Sequence, residues 1–217
     1  MSVSRRAVLR AAALLVACAP ALSLARPDTL PGRKAVFEEI GASVMISLSL
    51  PMLFRRADTD ALASIDSGFD TTLRFTLDIW EHGTRRHIGT RVLIRKIRRD
   101  PWKKKYVVRT KGSSGWVSRT FDKREDAIAD AVDLDRIRVV AAADLVRGGD
   151  AGPFYFVTVL AMRNPIEPAA SGTRRERGRG RRDLQWFGRL VDVLAGEQAV
   201  AEEILNIRTN PFFLVPR

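Results

Sequence analysis

Thr72-Leu73-Arg74-Phe75-Thr76-Leu77-Asp78-Ile79-Trp80 is the stretch that decides the fold. Leu73, Phe75, Leu77 and Ile79 fall on one side of it, and Thr72, Arg74, Thr76 and Asp78 on the other. A period of two is that of an extended chain, whose successive Cβ atoms point to opposite faces of a sheet. The alternation predicts a half-buried strand. Outward from it, His82-Gly83-Thr84 predicts a turn, and His87 to Arg98 a long strand that Asp100-Pro101 ends. Lys105 to Thr110 returns as its hairpin partner. Gly112-Ser113-Ser114-Gly115 turns again, and Trp116 to Phe121 forms another strand.

The rest of the chain adds strands and a few helices. Ser43 to Leu50 is read as a strand closed by Pro51. Asp58 to Ser64 is read as a helical turn with Asp58 at its N-cap. Asp122 and Glu125 have the spacing of a capping box, ahead of a helix whose apolar face is Ala127, Ile128, Ala131 and Val132. Ile137 to Val146 and Phe154 to Met162 predict two further strands, the second ended by Asn164-Pro165. Pro168 to Arg182, rich in Ala, Gly and Arg, has no periodicity and is read as a flexible loop. Leu184 to Leu194 predicts a helix, and Glu203 to Val215 a closing strand. The fold class expected is mostly β (α+β): an antiparallel β-sandwich with two or three short packed helices.

The N-terminus reads as an address. Arg5, Arg6 and Arg10 precede an apolar run from Ala11 to Ala19; Pro20 follows, and then Ala21 to Ala25. A charged segment, a short apolar segment and small residues ahead of a cut define an export signal. The run is too short to cross a bilayer, which takes about 20 residues. Residues 1–25 are therefore expected to be removed after Ala25, leaving 26–217 as a single β-rich envelope domain with no transmembrane span. Ser-Arg-Arg-x-Val-Leu-Arg is also close to the twin-arginine pattern. Leu15-Val16-Ala17-Cys18 has the form of a lipoprotein box, which would make a lipidated Cys18 the new N-terminus. General or twin-arginine export, and soluble or lipid-anchored product, remain paired alternatives. Cys18 is the only cysteine, so either outcome leaves no disulfide and no thiolate metal site.

Charge is distributed unevenly. The chain carries a formal +12, yet Arg85 to Arg124 alone holds 15 Lys and Arg against two acids, and Thr173 to Arg182 six Arg against one Glu. The remainder is acidic. Basic segments on an acidic body attract anionic partners. Arg91, Arg95, Lys96, Arg98 and Arg99 on the long strand, with Lys103, Lys104 and Lys105 at the hairpin tip, are expected to make one cationic ridge interleaved by Trp102 and Tyr106. Aromatics at headgroup depth beside cations that meet phosphate are the chemistry of a membrane interface. The anionic-surface residues so assigned are Arg95, Arg98, Arg99, Trp102, Lys103, Lys104, Lys105 and Tyr106. A solvated edge hairpin, its lysines blocking edge-to-edge pairing, would carry the same residues.

Three elements together resemble an uncharacterised family of exported bacterial proteins, the domain of unknown function 4390 family. They are Ile97-Arg98-Arg99-Asp100-Pro101-Trp102 followed by Tyr106-Val107-Val108, Phe121 ahead of Asp126-Ala127-Ile128, and Met162-Arg163-Asn164-Pro165 after a Phe/Tyr-rich strand. The resemblance spans roughly Ser43 to Pro165 and implies a β-rich envelope protein with no known activity and no catalytic residues to transfer. The arginine-rich loop and the lipoprotein box depart from the family pattern.

Chemistry-bearing patterns are sparse. His82 and His87 flank a predicted turn, among arginines that would repel a cation, and are read as solvated turn residues rather than a metal pair. Ser113 and Ser114 lack the G-x-S-x-G elbow. Asp66 with Asp70, and Asp133 with Asp135, sit in loop-like segments as turn or capping residues. No phosphate loop, dinucleotide fingerprint or EF-hand is present, so no catalytic, metal or cofactor residue is assigned and no cofactor is expected. The expectation is a non-catalytic exported envelope protein, periplasmic or lipid-anchored, that binds an anionic membrane surface or an acidic protein through its basic segments. An exported hydrolase with an unrecognised site is the alternative. Export makes nucleic acid the least suited partner.

Overall fold

The structure is a computed structural model that describes residues 29–55, 58–149, 152–165 and 201–216. The export segment with Cys18 and Ala25, the arginine-rich loop at 168–182 and the helix expected over 184–194 lie outside the described residues.

Among the described residues ten strands and two α-helices follow one another: β1 (Gly32–Arg33), β2 (Val36–Ile40), β3 (Ser43–Ser49), α1 (Thr59–Asp66), β4 (Thr71–Glu81), β5 (His87–Asp100), β6 (Lys105–Gly112), β7 (Gly115–Phe121), α2 (Arg124–Val132), β8 (Asp133–Ala141), β9 (Tyr155–Arg163) and β10 (Glu203–Thr209). Seven strands form one sheet in the order β1-β10-β9-β4-β5-β6-β7, and three form a second in the order β2-β3-β8. Every pairing is antiparallel except the two-residue β1–β10 contact. The described residues are thus mostly β, with two α-helices.

β4 lies at the centre of the large sheet between β5 and β9. Its apolar side (Leu73, Phe75, Leu77, Ile79) joins Ile46 and Leu48 of β3, Leu134 of β8, Ala127 and Ala131 of α2, and Val157, Val159 and Ala161 of β9 in one core. The strand differs from expectation on its other side: Thr76 and Asp78 are buried as well. The cause is its central position, where polar groups find partners across the neighbouring strands. Thr90 of β5 donates its hydroxyl to the Asp78 carboxylate, and Trp80 Nε1 donates to Thr158 Oγ1 of β9 at 3.0 Å. Buried polar groups bonded in this way no longer need water.

Both helix starts differ from the capping expectation. Asp58 stands at the N-cap of α1, but its side chain makes no cap bond. It accepts instead from Arg163 Nη1 at 2.8 Å and from the Arg55 N–H at 3.1 Å. A charge-assisted bond to guanidinium outweighs a bond to a neutral helix N–H. α2 begins at Arg124, with Lys123 at the N-cap. Asp122 is drawn away to Lys105 at 3.0 Å, so the capping box does not form. β8 follows α2 with no loop and ends at Ala141, in a short 3₁₀ turn where the sequence suggested strand to Val146. β10 likewise ends at Thr209. Beyond Pro211 only isolated bridges, Tyr155 with Phe212 and Arg147 with Leu214, continue the pairing.

Candidate functional site

Register sorts the basic residues of β5 onto two faces. Arg95 stands opposite Leu73, and Ile97 opposite Val108, so the odd positions of β5 share the core side of the sheet. Lys96 and Arg98 share the outer side with Thr72, Arg74 and Val107. The single ridge expected from sequence is therefore split.

Arg95 leaves the surface altogether. It is 8% exposed, and its Nη1 lies 2.5 Å from the Asp130 carbonyl, 3.1 Å from that of Ala131 and 2.6 Å from that of Asp133. These are carbonyls at the C-terminal end of α2, which have no partner inside the helix and carry the negative end of its dipole. Burial pushes the guanidinium pKa below its usual value, a change that the nearby Asp130 charge opposes. Arg95 is a helix cap and not an anionic-surface contact.

Arg99 and Tyr106 form an opposed pair on the core side, at the sheet's end. The Tyr106 hydroxyl donates to Asp66 Oδ1 at 2.8 Å, and Arg124 Nη1 donates to Asp66 Oδ2 at 2.6 Å. Burial first, and then the bond to Asp66, raise the Tyr106 pKa. Asp66, read from sequence as a turn residue, thus joins the end of α1 to β6 and α2. Asp70 lies 3.5 Å from Lys96 and 3.6 Å from Arg98, on the outer side.

The hairpin tip keeps its cations in solvent. Asp100 shapes it by accepting from the N–H groups of Trp102 at 3.0 Å and Lys103 at 3.1 Å. These bonds, the one from Lys103 first, hold the Asp100 carboxyl below the usual carboxylate range. Lys104 takes a left-handed φ of 54°, and β6 resumes at Lys105, opposite Asp100. The turn holds Trp102 92% exposed, with Lys103, Lys104 and Lys105 exposed beside it. Arg98 is exposed on the outer side near the tip.

A further aromatic, missed in the sequence, flanks this tip. Gly68 (φ +87°) turns the chain from α1 into β4 against the hairpin: a Cβ there would meet the Arg99 carbonyl oxygen at 3.4 Å and the Pro101 ring at 4.0 Å. The next residue, Phe69, is 69% exposed. The only sequence signal was an apolar residue between Gly68 and Asp70, where turn chemistry calls for a polar one. One end of the large sheet therefore presents two exposed aromatics and a group of cations.

The other chemistry-bearing residues are separated. His87 is not a solvated turn residue: its Nε2 lies 3.2 Å from Asp78 Oδ1 and 3.1 Å from Thr90 Oγ1, and its ring meets Trp80 edge-on at 4.9 Å. His82 lies with Arg208 and Phe156. Asp133 and Asp135 follow α2 along β8, where Asp135 accepts from the Ser47 hydroxyl at 3.2 Å. A cavity of about 400 Å³ is lined by Asp58, Asp60, Ser64, Arg163 and Glu202. The bond from Arg163, first, holds the Asp58 carboxyl below the usual carboxylate range, as suits an ion pair. Among the described residues no group of three or more His, Cys, Asp or Glu is placed to hold a metal ion, and no helix is long and apolar enough to cross a membrane.

Comparison of the chain with protein-family models, with curated proteins and with solved structures finds no match.

Proposed function

We propose that this protein is a non-catalytic exported envelope protein that docks on an anionic membrane surface through the tip of its β5–β6 hairpin. One observation carries the proposal: Trp102 is 92% exposed at a turn that also exposes Lys103, Lys104 and Lys105. A soluble protein gains nothing from holding an indole in water, whereas at a membrane interface the ring settles at headgroup depth and the ammonium groups meet phosphate. Phe69 adds a second apolar side chain at the same end. The docking set is Trp102, Phe69, Arg98 and the three tip lysines, with Arg95, Arg99 and Tyr106 as its support.

Delivery rests on residues 1–25, with cleavage after Ala25 into the periplasm; lipidation at Cys18 would instead place the tip permanently beside a membrane. The resemblance to the domain of unknown function 4390 family belongs to the same proposal, because the hairpin residues that carry it are those that build the tip. The two sheets are read as the layers of a sandwich, supported by the core that residues of both share.

Co-sedimentation with vesicles tests the proposal. At about 1 kcal/mol for each lysine near an anionic surface, changing Lys103, Lys104 and Lys105 together to Gln weakens binding to phosphatidylglycerol vesicles about 100-fold. Raising salt from 0.05 to 0.5 M weakens the native protein in the same direction. Unchanged binding in the triple variant contradicts the proposal, as does binding to neutral vesicles of equal strength. Binding to an acidic protein with none to vesicles would move the tip to the other class of partner.

A further inference from the structure

On the outer side of the large sheet, away from the tip, Thr72, Arg74, Ile94, Lys96, Lys111, Trp116, Asn164 and Pro165 line a cavity of about 420 Å³. Three of these residues are cationic and none is acidic. Several cations of the sheet and its helices have close acids: Arg163 with Asp58 at 2.8 Å, Arg119 with Asp130 at 2.7 Å, Arg124 with Asp66 at 2.6 Å and Lys105 with Asp122 at 3.0 Å. The cavity gathers three cations with no acid in its lining. No carboxylate lies within ion-pair distance of Arg74 or Lys111 among the described residues; the buried Arg74 Nε has no hydrogen-bond partner, as is also the case for the Nε of Arg95, Arg99 and Arg163. Among the described residues the acid beside Lys96 is Asp70, at 3.5 Å and shared with Arg98.

Two walls of the cavity have partners of their own. Trp116 lies against two cations, with Lys96 Nζ 5.8 Å and the Arg109 guanidinium 5.1 Å from its ring centre. Asn164 takes a left-handed φ of 47°, and its side-chain oxygen accepts the Thr72 N–H at 2.8 Å, while its own N–H donates to the Thr72 carbonyl at 2.7 Å. This clasp occupies the amide oxygen and leaves the amide NH₂ as a further donor at the cavity wall.

We infer that this cavity binds a phosphate group, held by Arg74, Lys96 and Lys111, with the organic remainder of its ligand against Trp116, Ile94 and Pro165. An Arg fork and two ammonium groups meet the oxygens of a phosphate, and an apolar wall beside a few convergent polar groups is the composition of a small-ligand site. The phosphate comes either from a soluble phosphomonoester or from a lipid headgroup. The inference does not depend on docking by the hairpin tip.

The test titrates the full chain with glycerol 3-phosphate in solution and, in parallel, with bicelles containing phosphatidic acid, following the Trp116 indole and Arg74 Nε resonances by NMR. Saturable shifts of both resonances are expected in at least one arm, with affinity at least tenfold weaker in Arg74→Gln. Lys111→Gln, an exposed change that leaves the core untouched, weakens it in the same way, whereas Lys104→Gln at the tip leaves the solution arm unchanged. Saturation in solution assigns a soluble phosphate, and saturation by bicelles alone a headgroup. Absence of saturation in both arms, or equal affinity in Lys111→Gln, overturns the inference.

Discussion

Replacing Arg95 by Met separates the structural arginine from the surface cations around it. The side chain keeps an apolar stem but loses the guanidinium end and with it every donor. The Ala131 carbonyl, bonded at 3.1 Å in a buried setting, is left without its donor, at a cost of about 1–3 kcal/mol. The Asp130 and Asp133 carbonyls, at 2.5 and 2.6 Å, are part-buried, so water replaces the guanidinium there at a smaller loss. Removing a cation that is only 8% exposed recovers some desolvation energy. The sum is a destabilisation of about 2–3 kcal/mol, read by urea unfolding as a lower midpoint at an unchanged slope. Arg98→Met, on the exposed side of the same strand, costs less than about 0.5 kcal/mol. A loss below 0.5 kcal/mol for Arg95→Met, or a gain, would refute the capping role. So would weaker vesicle binding by a variant whose fold is intact.

Two further expectations follow from local geometry. Gly148 and Gly152 cross so closely that a Cβ on Gly148 would lie 2.5 Å from the Gly152 Cα; Gly148→Ala therefore lowers stability by about 1–3 kcal/mol, seen as a drop in Tm, whereas Gly89→Ala, with nothing within 4 Å of its Cβ, does not create this clash. The Tyr106 phenol titrates above its ordinary value of 10.0 because of burial and the Asp66 carboxylate. Its neutral form stabilises the fold fully below that ordinary value, and this contribution is lost as pH rises through the higher folded pKa. NMR of the Tyr106 ring carbon in Asp66→Asn is expected to show a midpoint nearer 10 than in the native protein; no movement contradicts the assigned bond.

What sequence alone could read was local. Alternation located β4, and Asp100-Pro101 and Gly112-Ser113-Ser114-Gly115 placed the turns of the β5–β6–β7 meander, because each signal lies within a few residues of the structure it specifies. β2 went unread, since Val36-Phe37-Glu38-Glu39-Ile40 does not alternate and is held by pairing with β3 and by Phe37 stacking on Phe212 at 4.0 Å. The charged strand β5 shows the limit most clearly. It carries apolar residues on both faces, Val92 and Ile94 on one and Leu93 and Ile97 on the other, so its period does not say which arginines turn inward. Only the register against β4, which sets Arg95 opposite Leu73, decides it. The tip was legible because Asp-Pro-Trp-Lys-Lys-Lys builds its own turn. Phe69 was not, because its place beside the tip depends on how Gly68 packs against Pro101.

The most direct test of docking is quenching of tryptophan fluorescence by lipids brominated on the acyl chain, in phosphatidylglycerol vesicles at low salt, comparing the native protein with Trp102→Phe. Docking by the tip predicts a blue-shifted, quenched component in the native protein that disappears in Trp102→Phe. Quenching of equal size in both proteins, or a Trp102 that stays unquenched while the protein is vesicle-bound, would contradict it.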